Sequence, residues 1–301
     1  MTLRPARLEG RARYERVMDG WVDNTDADAL TLTVQLADPD GAVEVEIVAL
    51  PSPTYEIRRA LCRALRGDLA RAVTTGLPQL AGTAMVAGLT GRVAAAIGDG
   101  LGAALVADAV VEAARLARKV TKLPRERAER ARDGAWECWR LDTAGWVDLP
   151  NSCFTYSDAG RALFAGRTVM CPSRPDLYSP RPGQRRVFVR RKVARLERTA
   201  GTLALFHSMH DDVHGLEISF EVDTVSGRIL AARSLTPKLP YMGICSEAQG
   251  RIDRLVGETL DDGLRKRIQG HLGGVTGCAQ LYDLTADLLK LIHSRNLLSS
   301  A

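Results

Sequence analysis

Four consecutive runs between residues 187 and 235 combine β-branched, leucine and aromatic side chains with polar ones: VFVRRKVARLER (187–198), TLALFHSM (202–209), GLEISFEVD (215–223) and GRILAARSL (227–235). The alternation is clearest at Leu216, Ile218, Phe220 and Val222. Thr-Ala-Gly, Asp-Asp-Val and Thr-Val-Ser-Gly lie between the runs as turn signals. A two-residue period sends alternate side chains to opposite faces, and connections this short join antiparallel neighbours. The stretch therefore predicts an antiparallel meander with one covered face. Pro237 and Pro240 end it, because proline cannot donate to a strand ladder. A helical period then takes over across 245–256, 261–272 and 278–296.

A weaker version of this unit precedes it. Leu30, Leu32, Val34 and Leu36 recur 186 residues later as Leu216, Ile218, Phe220 and Val222, and Gly41, Pro51 and Tyr55 recur as Gly227, Pro237 and Tyr241. IGDGLGAALVAD (97–108) meets LGGVTGCAQLYD (272–283) at an offset of 175. The expected architecture is α+β: two related halves, each an antiparallel β-meander covered by helices, packed as a pseudo-dimer. Residues 1–122 form the first, degenerate repeat, with strands over 11–50 and helices near 55–75, 78–96 and 103–121. Residues 123–186 connect the halves, with a helix at 124–140 and a proline-rich coil lying over the surface. Residues 187–301 form the second repeat.

Charge and composition exclude several classes. The chain carries a net charge of +5, with arginine far outnumbering lysine, and guanidinium groups suit anionic partners. No aromatic-interleaved basic stripe accompanies them, so nucleic acid is not the expected partner. The basic run 185–192 reads as a charged edge strand that resists aggregation. The apolar stretch 80–114 is broken by Arg92 and by Gly98-Asp99-Gly100, so it predicts buried helices and no membrane span. The N-terminal residues lack an apolar signal core, and the six cysteines form no Cys-x-x-Cys pair. A cytoplasmic protein with free thiols is expected, and two related halves leave room for a homo-oligomer.

At PYMGIC and GGVTGCAQL the chain resembles a bacterial family catalogued as a domain of unknown function (number two-eight-eight-nine), whose members pair I-H-D-x-x-L-x-L-x-V-D with P-Y-x-x-C-P and G-G-x-x-G-C-T-H-L. The resemblance covers about residues 187–296 and places His214 on the strand histidine, Cys245 near the first cysteine and Cys278 on the second. Gln280 stands where that family has its second histidine. The resemblance implies no particular activity.

The candidate site follows from strand parity. His207 shares a face with Leu203 and Leu205, and His214 with Leu216 and Ile218. If Leu205 faces Leu216 across the hairpin, His207 faces His214, with Cβ atoms roughly 5 Å apart. Asp211 and Asp212 read as turn formers, and His210 lies outside the covered face. Acid–base chemistry is expected from His214, with His207 beside it and Cys278 or Asp283 near it. Cys245, Tyr241, Gln280, Trp146 and Tyr156 are the expected substrate contacts. Cofactor-free proton transfer on a small apolar or aromatic molecule, acidic or coenzyme-A-linked molecules included, as an isomerase, lyase or hydrolase, stands first. A zinc or other transition-metal site on His207, His214, Cys245 and Cys278 is an alternative, as is a non-catalytic ligand-binding or accessory subunit. The glycines of GGVTGC either cradle an anion or allow close packing, and IGDGLGAAL lacks the spacing of a dinucleotide loop.

Overall fold

A computed structural model describes residues 5–292. The alternating runs form β5 (Gln184–Arg198), β6 (Thr202–Asp211), β7 (Gly215–Asp223) and β8 (Ile229–Lys238), and the first half supplies β1 (Arg13–Asn24), β2 (Leu30–Asp38), β3 (Gly41–Ala49) and β4 (Ile57–Arg66). All eight join one antiparallel sheet in the order β4-β3-β2-β1-β5-β6-β7-β8. The architecture is α+β. Four strands come from each half, and the halves meet as neighbouring strands, Val17 opposite Val193 and Trp21 opposite Val189. Equal place in the sheet sets β2 against β6, whereas the 186-residue offset aligns β2 with β7.

Helices follow each group of strands: α1 (Arg71–Gly76), α2 (Leu89–Ile97) and α3 (Ala103–Leu116) after the first. Then come α4 (Arg125–Glu129), α5 (Ala135–Gly145), α6 (Asp158–Ala162) and α7 (Pro175–Tyr178), and, after β8, a 3-10 helix over Cys245–Leu255, α8 (Leu264–Leu272) and α9 (Ala279–Ile292). They cover the face bearing Leu32, Val34, Val45 and Ile47 in one core, and Leu205, Ile218, Phe220 and Val222 in the other. The uncovered face carries cross-strand ion pairs, including Arg63–Glu44 at 2.7 Å and Arg195–Glu15 at 3.0 Å. No helix among the described residues is long and apolar enough to cross a membrane.

Several expectations change. The helix near 55–75 is, over 57–66, the edge strand β4. Ala60, Leu61, Ala64 and Leu65 have helical spacing, but β3 offers an open ladder, and pairing leaves Leu61 and Leu65 exposed. The single helix at 124–140 breaks at Gly134, whose φ of +112° favours glycine. Cys245–Leu255 winds as a 3-10 helix. Residues 185–192 run in the middle of the sheet, where Arg190 and Lys192 are buried beneath the helices. The proline-rich segment does not lie merely over the surface, because Leu177 and Tyr178 are buried. The helix expected over 278–296 is described as far as Ile292, and residues 293–296 lie outside the described residues.

The β6–β7 register also differs. Leu205 faces Phe220 and His207 faces Ile218. Asp211 makes the turn: its N–H donates to the His214 carbonyl at 2.8 Å, and its Oδ1 accepts from the N–H groups of Val213 (2.8 Å) and His214 (2.6 Å). His214 is thus a turn residue, roughly 13 Å along the hairpin from His207 at ~3.3 Å per residue. The imidazoles are not cross-strand neighbours.

Candidate functional site

Where the two cores meet, the β6–β7 turn, the residues after α3, the connecting segment and the α8–α9 loop enclose a cavity of about 120 Å³. A water needs only about 10–15 Å³ measured this way, so there is room for several waters or a small molecule. His214, Cys245, Cys278, Tyr241, Gln280, Trp146 and Tyr156 all line it.

His214 is held by a chain of buried groups. Its Nδ1 lies 3.0 Å from Asp211 Oδ1, and Asp211 Oδ2 accepts from Arg190 Nε at 2.9 Å and Nη2 at 2.6 Å. The Arg190 and Asp211 side chains are both fully enclosed. Burial alone would raise the Asp211 carboxyl, but His214 and the Arg190 guanidinium hold it well below the usual carboxylate range. Burial lowers the His214 pKa below its ordinary value; Asp211 opposes this, while the charges of Lys119 and Arg190 reinforce it. The ring is therefore neutral at neutral pH. With Nδ1 donating to the carboxylate, Nε2 carries the lone pair and has no hydrogen-bond partner among the described residues.

A further buried carboxylate, Asp142 on α5, lines the wall itself. It accepts from the hydroxyls of Tyr156 and Tyr178, both at 2.7 Å, and of Tyr241. Burial raises the Asp142 pKa despite these three bonds, and burial beside that carboxylate raises all three phenols. Tyr241 and Tyr156 consequently offer the cavity ring surface while their hydroxyls are engaged. Lys119 enters from the turn closing α3, half-buried. Burial and the charge of Arg190 push its amine down to about 8, against the pull of Asp211, Asp283 and Asp142.

Three thiols gather at one side. Cys245 lies 3.0 Å from Thr155 Oγ1, and burial pushes its thiol up, as it pushes Cys153 up to about 11. Cys278 directly precedes α9, and the α8–α9 loop is tied to the connecting segment by Phe154 N–H donating to Gly277 O at 2.9 Å. A Cβ on Gly277 would fall 1.9 Å from Leu272 O. The glycine is thus required for close packing of the loop on α8.

Two expected catalytic residues lie elsewhere. His207 lines a separate cavity of about 40 Å³ among Lys192, Glu112, Asp287 and Arg115, with Nδ1 2.8 Å from the Leu284 carbonyl. Asp283 pairs with Arg115 at 3.2 Å. The four residues considered for a metal therefore do not converge, because His207 is in the other cavity. Among the described residues, no three His, Cys, Asp or Glu side chains are placed to share an ion. The sequence pattern does not reach Lys119, Asp142 or Arg190, and it offers Asp211 only as a turn former. One signal was available: the chain has six lysines, so a lysine among its many arginines is the exception.

Residues 197–293 match the family model described as a protein of unknown function (DUF2889). That region contains Asp211, His214, Cys245 and Cys278 and excludes Lys119, Asp142 and Arg190. No curated protein matches the chain. A Clostridium difficile 630 protein described as a lipoprotein aligns at 11% identity over 73% of this chain and 83% of its own, with a TM-score of 0.13, too low to support any likeness of fold.

Proposed function

We propose that this cavity is the active site of a cytoplasmic bacterial enzyme that moves a proton on a small, mostly apolar or aromatic molecule. His214 is the general base, taking the proton on Nε2, and Asp211, itself pinned by Arg190, positions the ring and stabilises the imidazolium that forms. The observation that carries this reading is the His214–Asp211–Arg190 chain ending in a neutral imidazole at the wall of a cavity large enough for a ligand. The rings of Trp146, Tyr156 and Tyr241 supply an apolar surface, and Gln280 and Cys278 border it. A second reading, a ligand-binding module without turnover, draws on the engagement of all three tyrosine hydroxyls by Asp142.

Solvent exchange separates the two. Phenylpyruvate and acetophenone, each with an acidic C–H beside a carbonyl, are incubated with the protein in D2O and followed by proton NMR. Deuterium incorporation above background that vanishes in His214→Gln supports the enzyme. Binding of either compound with no exchange selects the module, and neither binding nor exchange removes both.

A further inference from the structure

Proton transfer by His214 leaves Lys119 without a task. No hydrogen bond or ion pair holds its amine among the described residues, because the nearby carboxylates are engaged: Asp211 by Arg190 and His214, Asp283 by Arg115, and Asp142 by three tyrosines. Other lysines are tied down. Lys122 donates to Asp26 O at 2.6 Å, Lys192 to Glu112 at 2.7 Å, and Lys238 to Asp211 O at 3.0 Å. Lys266 is simply exposed. An unpaired amine in an apolar wall near a second cation is easily deprotonated, the condition that makes lysine a nucleophile.

We propose that Lys119 binds a carbonyl compound covalently: an aldehyde or ketone bearing an apolar or aromatic group, held as a protonated imine. The Nζ lone pair adds to the carbonyl carbon, and the C=O π pair moves to oxygen. The proton that nitrogen loses passes by way of His214 to that oxygen. One further proton from solvent lets the oxygen leave as water with its bond pair, while the nitrogen lone pair closes the C=N bond. The iminium then accepts the electron pair left when His214 removes a proton from the adjacent carbon, giving an enamine. A proton returns to that carbon from the His214 imidazolium, now exchangeable with solvent, and water hydrolyses the re-formed iminium at the end. Lysine and carbonyl are both regenerated, so no other reactant is consumed.

This inference rests on the His214 reading, and one experiment with two readouts separates them. The full chain is incubated with benzaldehyde and sodium cyanoborohydride, digested, and its benzylated lysines are located by mass spectrometry. The expected result is a reduced adduct on Lys119 forming at least about tenfold faster than on Lys266, since a lower pKa leaves more free amine, with loss of that adduct in Lys119→Arg and protection by benzoate. Labelling that simply follows exposure, with Lys266 ahead, overturns the proposal. In parallel, benzoate is titrated while the His214 imidazole NMR signals, assigned with His214→Gln, are followed. Shifted His214 signals with Lys119 unlabelled defeat the imine and leave the proton-transfer reading standing. No shift and no labelling defeat both.

Discussion

His207 and His214 project toward the same helical layer from one hairpin, and both are nine-tenths or more buried, yet they occupy different kinds of site. His207 Nδ1 donates to a fixed helix carbonyl, Leu284 O, amid a lattice of ion pairs, Lys192–Glu112 at 2.7 Å and Arg115–Asp287 among them. His214 has one nitrogen on a carboxylate and the other beside a larger cavity. Burial and some space beside the ring are common to both; a carboxylate on Nδ1 and a cavity of about 120 Å³ against about 40 Å³ distinguish the reactive candidate from the structural one.

That contrast can be broken by mutation. The largest effect is expected from His214→Gln, which should slow deuterium exchange by about 10²–10⁴-fold, the usual contribution of a positioned base, with the thermal midpoint little changed. Exchange that survives would reduce His214 to the rank of His207. Next, Lys192→Met should cost about 3–5 kcal/mol in urea denaturation, because it strips a buried pair of one partner, and leave benzylation of Lys119 intact. His207→Leu should cost less, about 1–3 kcal/mol for the unmade bond to Leu284 O, again with exchange unaffected.

The smallest effect is a change of slope with pH. Burial, aided by the charge of Lys192, lowers His207 from 6.5 to about 4. Between those values the unfolded chain binds a proton that the folded chain refuses, so stability falls as pH falls through this window and the contribution is constant above it. His214, also lowered, acts in the same direction. In His207→Leu the loss of stability from pH 6.5 to 4 should become shallower without disappearing, as measured by urea midpoints across the range. An unchanged slope would show that His207 is protonated alike in both states.

The strands of the second half were readable almost to the residue, since Gly215–Asp223 coincides with the run GLEISFEVD. β4 was not readable, because short apolar runs satisfy both periods and only an adjacent open ladder chooses between them. The cavity was legible in its parts: His214, Cys245, Cys278, Gln280, Tyr241, Trp146 and Tyr156 all border it. The hairpin pairing failed through one side chain. Asp211 bonded two backbone N–H groups of the turn and drew His214 out of the ladder.

Local pattern alone thus determined the meander of the second half, its covered face and the order of strands and helices there, because alternation and turn residues act over a few positions. Tertiary structure decided which histidine borders the larger cavity, that Arg190 lies under the helices and not at an edge, and that Lys119 and Asp142 line the same cavity as His214. Those outcomes depend on contacts between residues such as Asp142 and Tyr241, 99 positions apart, and on the desolvation that follows, which no short-range period encodes.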